Sequence, residues 1–167
     1  DDTDDPENGK NHDTATGNDI RLSPDYCGGI YALDIQGGAL DTSGAGIDSD
    51  MVAVNMYGIL ASGQGGTGPE DCSDEVMAQP DNITLMPGSD LLVIAEDGDH
   101  ANNMMWSLDL ESGDFTRILT VPEGAETTSP YFFSVGEFTY LMGVVQHPES
   151  TDDKESVTGY LGPIRLN

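Results

Sequence analysis

Residues 80–106 read PDNITLMPGSDLLVIAEDGDHANNMMW, and this stretch decides which fold class the chain is predicted to adopt. Its first three residues have turn composition, and the apolar run that follows ends abruptly in Glu-Asp-Gly at residues 96–98. A polar loop with one histidine and two asparagines then leads into a second apolar stretch at Met104. Short apolar runs bounded by Gly, Pro and Asp are typical of β-strands. The stretch therefore predicts a strand, a carboxylate-rich loop and another strand.

Similar short apolar runs continue along the chain. Predicted strands cover residues 30–35, 91–95, 104–110, 115–119, 131–135, 138–145 and 157–161. A further run at residues 51–60 is too short and too rich in β-branched residues to favour a helix, and residues 111–114, Glu-Ser-Gly-Asp, have hairpin-turn composition. Because no segment keeps a helical period, the chain is predicted to be all-β with no substantial helix.

Among all-β folds, the repeated order of turn, strand, polar loop, strand and hairpin resembles β-propeller blades more than a sandwich. Residues 31–35 and 106–110 both read aromatic, small, Leu, Asp, aliphatic, which is a weak internal repeat. The predicted strands suffice for about three blades, and a closed ring needs at least about four. Residues 20–167 are therefore predicted to be the C-terminal portion of a larger propeller domain, completed by blades from the same or another chain. Residues 1–19 are predicted to form an acidic polar arm or surface loop.

Acidity dominates the composition. The chain has 31 Asp and Glu residues against 5 Lys and Arg, a formal net charge of -26. Such a charge repels phosphate backbones and anionic lipids, which disfavours nucleic acid as a partner. Three sources of acidity stay open: adaptation to a saline or marine setting, carboxylates that bind divalent cations, and, for part of it, a disordered segment. No apolar run reaches the roughly 20 residues of a membrane helix.

Two cysteines, Cys27 and Cys72, allow a single disulfide. Such a bridge would contribute about 4 kcal/mol for a loop of this length in the chain-entropy model. It would also indicate an oxidising compartment, hence a secreted, extracellular or periplasmic protein. Two buried free thiols are the alternative. Asn82-Ile83-Thr84 is a candidate glycosylation sequon, although it lies within the candidate site.

Eight segments carry a resemblance to a known family. They are DIRL at 19–22, CGGIYALD at 27–34, PDN at 80–82, EDGDHANNMMW at 96–106, TRI at 116–118, GAETTSP at 124–130, VVQHP at 144–148 and TGYLGP at 158–163. In this order they resemble the C-terminal part of the PhoX-type alkaline phosphatases, and the last is similar to the end of the algal-type members. The resemblance implies a secreted, calcium-dependent phosphomonoesterase built on a β-propeller, with calcium and iron at one mouth. Full-length members are several times longer, so much of the metal shell is expected upstream of Asp1.

Four residues are the leading candidate metal ligands. Phosphoryl transfer needs positioned cations, and calcium prefers carboxylate and amide oxygens. Glu96, at the end of an apolar run, is expected to project at the propeller mouth, with a solvated turn carboxylate as the alternative. Asp81 and Asn82 are either ligands or turn residues that bond their own backbone. Glu126 matches the family pattern and is predicted to face the mouth.

His100, Asn102 and His147 form a second rank of candidates. The histidines could act as ligands or proton carriers, but a histidine bonded to a nearby backbone carbonyl is the preferred interpretation for each. Asn102 and its neighbour Asn103 are expected to shape the loop, with ligation open for one of them. Trp106 is predicted to lie in the core. No Ser-His-Asp or Cys-His arrangement has a suitable spacing, so no catalytic residue is assigned.

Two functions from different classes follow. The first is an extracellular metal-dependent phosphomonoesterase acting on a phosphate ester, to which this chain contributes the C-terminal portion. The second is a phosphatase-like propeller without catalytic activity, acting as a structural or interaction subunit of a larger extracellular assembly. The expected loss of upstream ligands motivates the second.

Overall fold

The computed structural model of the protein describes residues 27–61, 72–98, 100–149 and 154–164. Nine strands are present: β1 (Gly29–Gln36), β2 (Val52–Ala61), β3 (Pro80–Leu85), β4 (Leu91–Glu96), β5 (Met104–Asp109), β6 (Phe115–Thr120), β7 (Glu126–Val135), β8 (Phe138–Gln146) and β9 (Ser156–Ile164). The described ranges contain no helix, so the all-β prediction is confirmed for them. Residues 1–19, predicted to form an arm, lie outside these ranges.

Residues 29–61 form one compact unit, an antiparallel hairpin of β1 and β2. Leu33 faces Met56 across the two strands, and Tyr31 faces Gly58. Leu33, Met56 and Tyr31 are all more than half exposed. The apolar side chains of the hairpin are thus left exposed. This is expected, because a hairpin of two strands has no second layer to bury them.

The second unit contains two antiparallel sheets, each with its strands in chain order. The first has the order β3-β4-β5-β6 and the second the order β7-β8-β9. Strand β7 contacts β3, β4 and β5, so it joins the two sheets. Strand β4 lies between β3 and β5 and also contacts β7, and it is buried almost throughout, in agreement with its continuous apolar sequence Leu-Leu-Val-Ile-Ala.

The core of this unit lies between the two sheets. It is a cluster of buried side chains contributed by both: Met86, Val93, Ala95, Met105, Phe132 and Leu141. Trp106 is also buried, as predicted, and its ring stacks on Phe115 with the ring centres 4.6 Å apart. Burial of such side chains supplies most of the folding free energy.

The turn predicted at residues 111–114 is confirmed between β5 and β6. The Asp109 side chain accepts hydrogen bonds from the backbone N–H groups of Glu111 at 3.0 Å and Ser112 at 2.8 Å. The bond from Ser112 is the main cause that lowers the pKa of the Asp109 carboxyl, because it favours the ionised form. A short polar side chain that bonds its own turn is the chemistry that the composition predicted.

Two segments differ most from the prediction. Residues 80–85 form β3 instead of a turn followed by unassigned chain, and β7 begins at Glu126, five residues before the predicted strand at 131–135. Both segments carry a register shift, between Pro80 and Asn82 in β3 and between Thr128 and Tyr131 in β7. Proline is tolerated at the first residue of a strand and at bulges, so pairing with neighbouring strands overrides the turn-like composition.

The predicted disulfide between Cys27 and Cys72 is confirmed. Cys27 is buried, and its carbonyl accepts a hydrogen bond from the Gln79 N–H at 2.8 Å. The bridge therefore fixes the segment that leads into β3. No helix long and apolar enough to cross a membrane occurs in the part of the chain that the structure describes.

Candidate functional site

Glu96 lies at the end of β4, as predicted, but its side chain is fully buried. Its carboxylate accepts three hydrogen bonds from N–H groups and contacts the His100 ring. Oε1 accepts from the Ala78 N–H at 2.9 Å and from the Trp106 indole N–H at 2.6 Å. Oε2 accepts from the Met104 N–H at 2.8 Å and contacts His100 Nδ1 at 2.9 Å. The expectation that Glu96 projects at a propeller mouth is therefore wrong, and so is the solvated-turn alternative.

The hydrogen bonds around Glu96 explain its burial. A carboxylate offers about four acceptor positions, and here protein groups occupy all of them. Burying a charged group is tolerated when it is fully hydrogen-bonded. Because its acceptor positions are used in this way, we assign a structural role to Glu96. Its carboxylate joins β4 to β5 and to the segment before β3.

His100 is buried beside Glu96 and contacts acceptors with both ring nitrogens. Nδ1 lies 2.9 Å from Glu96 Oε2, and Nε2 lies 3.2 Å from the Ser73 carbonyl oxygen. The preferred sequence interpretation, a histidine bonded to a backbone carbonyl, describes this contact. His100 thus holds the segment that follows Cys72.

Asn102 and Asn103 shape the loop between β4 and β5. The Asn102 amide donates to the Val121 carbonyl at 2.9 Å. Asn103 is buried, donates to the Ala125 carbonyl at 3.2 Å and accepts from the Gly98 N–H at 3.2 Å. Both side chains satisfy backbone groups, in agreement with the loop-shaping role expected for them.

Three carboxylates and one histidine, distant in sequence, meet at one edge of the two sheets. We call Asp81, Asp97, Glu126 and His147 the acidic cluster. His147 Nε2 lies 3.6 Å from Glu126 Oε2, and each side chain of this pair is about 30% exposed. His147 Nδ1 is buried and has no hydrogen-bond partner among the described residues. The cluster therefore joins the start of β3, the end of β4, the start of β7 and the residue after β8.

The electrostatics of the acidic cluster are unfavourable for Glu126. Partial burial raises the pKa of its carboxyl first, and the negative charge of Asp97 raises it next. His147 opposes these effects, while a hydrogen bond with Asp97 and the charge of Asp81 add to them. The cluster thus concentrates negative charge that the one nearby histidine offsets only in part.

Asn82 uses its side chain to connect two strands. Its Oδ1 accepts hydrogen bonds from the Thr128 hydroxyl and from the Ser129 N–H, the latter at 2.9 Å. The expectation that it bonds its own backbone is therefore wrong, because β3 lies beside β7 and brings closer donors. As a glycosylation candidate, Asn82 would carry the glycan on a half-buried amide.

Backbone strain accompanies the acidic cluster. In the described chain, the residues other than glycine with positive φ are Gln79 at 44°, Ser129 at 53° and His147 at 51°. Each of the three directly precedes a proline. His147 belongs to the acidic cluster, Gln79 directly precedes β3 and Ser129 lies in β7. Such conformations cost of order 1–3 kcal/mol each and persist where the surrounding structure imposes them, often at functional sites.

The donor chemistry of the acidic cluster fits a hard cation, but the ligand number does not. Carboxylate oxygens are the ligands that calcium prefers, and it takes about six to eight of them. No group of three or more His, Cys, Asp or Glu side chains within residues 27–61, 72–98, 100–149 and 154–164 is arranged to hold a metal ion. A calcium or iron site would therefore need ligands from beyond the described residues.

An apolar cavity of about 200 Å³ lies elsewhere in the second unit. Its walls come from β5, β6, β8 and β9 and include Met105, Leu119, Val145 and Tyr160. Among the described residues, no carboxylate or histidine lines this cavity.

Comparison with known proteins does not assign a family. No protein-family model, curated protein or solved structure matches the chain.

Neither Asp97 nor Thr127 is among the site residues predicted from the sequence. Asp97 was noticeable only as part of an acidic turn, although it acts directly on Glu126. Thr127 carries no distinctive pattern, yet it is fully buried and bonds the backbone of Glu96. Its position directly after Glu126 within GAETTSP is the one sequence feature that could have drawn attention to it.

Proposed function

We propose that the chain forms part of an extracellular, metal-dependent phosphomonoesterase similar to the PhoX-type alkaline phosphatases. The observation that supports this most is the acidic cluster. Its members come from four of the segments that resemble the family, PDN, EDG, GAETTSP and QHP, and they meet at one place in the fold. These four segments are far apart in sequence, and a small polar site is what they share. We therefore infer that their acidic residues serve to bind a ligand and not to pack the core.

The chemistry of the acidic cluster suits a divalent cation. Asp81 and Asp97 bring negative charge close to Glu126, and His147 is the partner that reduces it. A cation bound by these carboxylates would neutralise the charge and favour the ionised form of Glu126. When bound, calcium would supply positive charge for the oxygens of a phosphate ester. The role of this chain is to hold the carboxylate oxygens at one edge of the sheets.

We also propose that the two sheets of the second unit are neighbouring blades of a β-propeller. Each is an antiparallel sheet with strands in chain order, and the first has the four strands of a typical blade. Strand β7 packs against the adjoining sheet, as consecutive blades do. The remaining blades, from the same or another chain, would then be the partners that complete the metal shell.

The proposal is tested with p-nitrophenyl phosphate, using the full-length protein or the assembled complex. Hydrolysis should occur with calcium present, stop after chelation and return when calcium is restored. Elemental analysis should find calcium, with or without iron, in the purified sample. A metal-free sample that remains inactive after calcium and iron are supplied would overturn the proposal.

Calcium should stabilise the chain, and Glu126 should contribute to this effect. At calcium concentrations of about 100 times the Kd, binding should add about 2.7 kcal/mol to the free energy of unfolding. The Glu126→Gln variant should lose most of this increment, whereas Glu123→Gln, in the exposed turn before β7, should keep it. Thermal unfolding with and without calcium measures the increment in each variant. Equal increments in Glu126→Gln and Glu123→Gln would contradict a role of Glu126 in calcium binding.

The stability of the chain without metal should depend on pH through Glu126. Because the pKa of Glu126 is raised in the folded state, its protonated form is favoured there, and the associated stability is lost as the pH rises through that pKa. Glu126→Gln should therefore raise Tm at neutral pH and have little effect below about pH 4. Thermal unfolding in chelator at both pH values tests this, with Glu123→Gln as the control.

A second candidate function is an interaction subunit without catalytic activity. The uncovered apolar side chains of the β1–β2 hairpin favour it, since Tyr31, Leu33 and Met56 are each more than half exposed. Copurification of a stable partner with a metal-free protein would support this candidate. Stoichiometric calcium together with phosphatase activity would count against it.

A further inference from the structure

The apolar cavity of about 200 Å³ lies between the two sheets of the second unit. Strand β7 joins these sheets, because it contacts β3, β4 and β5. The walls of the cavity come from β5 and β6 of the first sheet and from β8 and β9 of the second, and β6 and β9 are the last strands of their sheets. The cavity therefore lies toward the edge strands of this interface.

The lining of the cavity is apolar and ranges from buried to exposed. On the second sheet it consists of three residue pairs across β8 and β9: Leu141–Leu161, Gly143–Gly159 and Val145–Val157. Met105 and Leu141 are buried, whereas Val157 is 55% exposed and Leu161 is 40% exposed. None of the described residues that line the cavity carries a charge. A small molecule can therefore enter from solvent past Val157 and Leu161 and then contacts apolar groups.

Gly143 and Gly159 leave space on the cavity side of β8 and β9. They are paired across the two strands, and neither has a positive φ, so the backbone conformation does not require glycine. A Cβ atom at Gly143 would lie 3.1 Å from Met105 Cε, which explains the absence of a side chain there. A Cβ atom at Gly159 would have no atom of the described chain within 4 Å apart from its own neighbours in sequence. Glycine weakens the interior of a strand and often marks a place that a ligand approaches closely. Packing thus accounts for Gly143 but not for Gly159.

We propose that this cavity binds a small uncharged apolar molecule of about the size of one aromatic ring. Cavities of roughly 150 Å³ lined by Leu, Ile and Phe bind benzene, so the volume of this cavity is sufficient for a single ring. The flexible Met105 side chain allows the wall to adapt to the shape of the ligand. A charged ligand is disfavoured, because the lining supplies no partner for its charge. The proposal is independent of the acidic cluster and of the proposed phosphatase activity.

Titration of the wild type with benzene tests the binding directly, with the methionine methyl groups labelled for NMR. Because the Met105 methyl group lies in the cavity wall beside Gly143, the ring current of bound benzene should shift its resonance until the cavity is saturated. The methyl resonance of Met77, which is buried but does not line the cavity, should stay unchanged. An unchanged Met105 resonance, a shift that does not saturate, or an equal shift at Met77 would overturn the proposal.

The Gly159→Ala variant tests whether the space at Gly159 is needed. Benzene affinity should fall about tenfold or more, because one added carbon in an apolar pocket changes affinity by about this factor. Without benzene, Tm should rise by about 1–4 °C, because alanine restricts the unfolded chain more than glycine does. Weaker binding by a more stable variant could not result from unfolding. Thr158→Ala, on the opposite face of β9, is the control and should keep the wild-type affinity. Unchanged benzene affinity in Gly159→Ala would overturn the proposal.

Benzoate tests the expected absence of charge in the ligand. It has the ring of benzene and one carboxylate, for which the described lining offers no cationic partner, and the chain has a formal net charge of -26. The affinity of benzoate, measured at the Met105 methyl group, should therefore be at least about tenfold lower than that of benzene. Benzoate binding as tight as that of benzene would contradict an uncharged ligand and overturn the proposal.

Discussion

The Glu96→Ala variant should lose most of the stability of the second unit, even in metal-free buffer. The substitution leaves three buried N–H groups without their acceptor, those of Ala78, Met104 and the Trp106 indole, and it also removes the contact with the His100 ring. Each buried donor left unpaired costs about 1–3 kcal/mol. A loss of at least about 4 kcal/mol is a large part of the roughly 5–15 kcal/mol by which domains are stable. Urea unfolding in chelator measures it.

Two further variants make the Glu96 result specific. Glu96→Gln keeps the shape but turns an N–H₂ group toward two of the donors, so we expect a loss of about 2–4 kcal/mol. Glu111→Gln, in the exposed β5–β6 turn, should change stability by less than about 0.5 kcal/mol. A Glu96 that served only as a metal ligand would behave in the opposite way. Its removal would be nearly neutral in chelator and harmful only with calcium, and that outcome would refute the structural role.

Most strands could be predicted from the sequence because their cause is local. The alternation or continuity of apolar residues and the turn composition between them depend on neighbours in the chain. The exception is β3, whose first residues have turn composition although Pro80 and Asn82 pair with β4 and the Asn82 side chain contacts β7. The pairing partner β4 is close in sequence, but the donors to the Asn82 side chain, Thr128 and Ser129, are 46 and 47 positions away, so no local pattern reveals that contact.

The candidate site was predictable only in part, because its motifs are local but the contacts between them are not. The motifs around residues 81, 126 and 147 could be noticed individually, and the structure brings these residues together. The role of Glu96 could not be inferred, since a carboxylate at the end of an apolar run usually faces solvent. Its donors include a backbone N–H located 18 positions upstream and an indole located 10 positions downstream. Only the packed sheets show that three N–H donors and the His100 ring converge on one side chain.

Removing the disulfide should lower stability by about 4 kcal/mol, the estimate for a closed loop of this length in the chain-entropy model. The Cys27→Ala, Cys72→Ala double variant frees the segment before β3, which the bridge fixes next to the Cys27–Gln79 backbone bond. For a chain of this size the loss corresponds to a fall in Tm of about 8–16 °C. Thermal unfolding of the double variant, and of the wild type with and without reductant, measures it. The reduced wild type should melt close to the double variant, and an unchanged Tm in both would contradict the prediction.

The disulfide and the Glu96 network should also be coupled, because they hold the same segment. Residues 72–79 are fixed by Cys72, by the Ser73 carbonyl contact with His100, and by the bond from the Ala78 N–H to Glu96. Without the disulfide, residues 72–79 are held less firmly against Glu96. The Glu96→Gln substitution then removes contacts that are already weakened. The combined variant should thus lose less stability than the sum of the separate losses, by about 0.5–3 kcal/mol. Strict additivity in urea unfolding would mean that the disulfide and Glu96 stabilise separate parts of the fold.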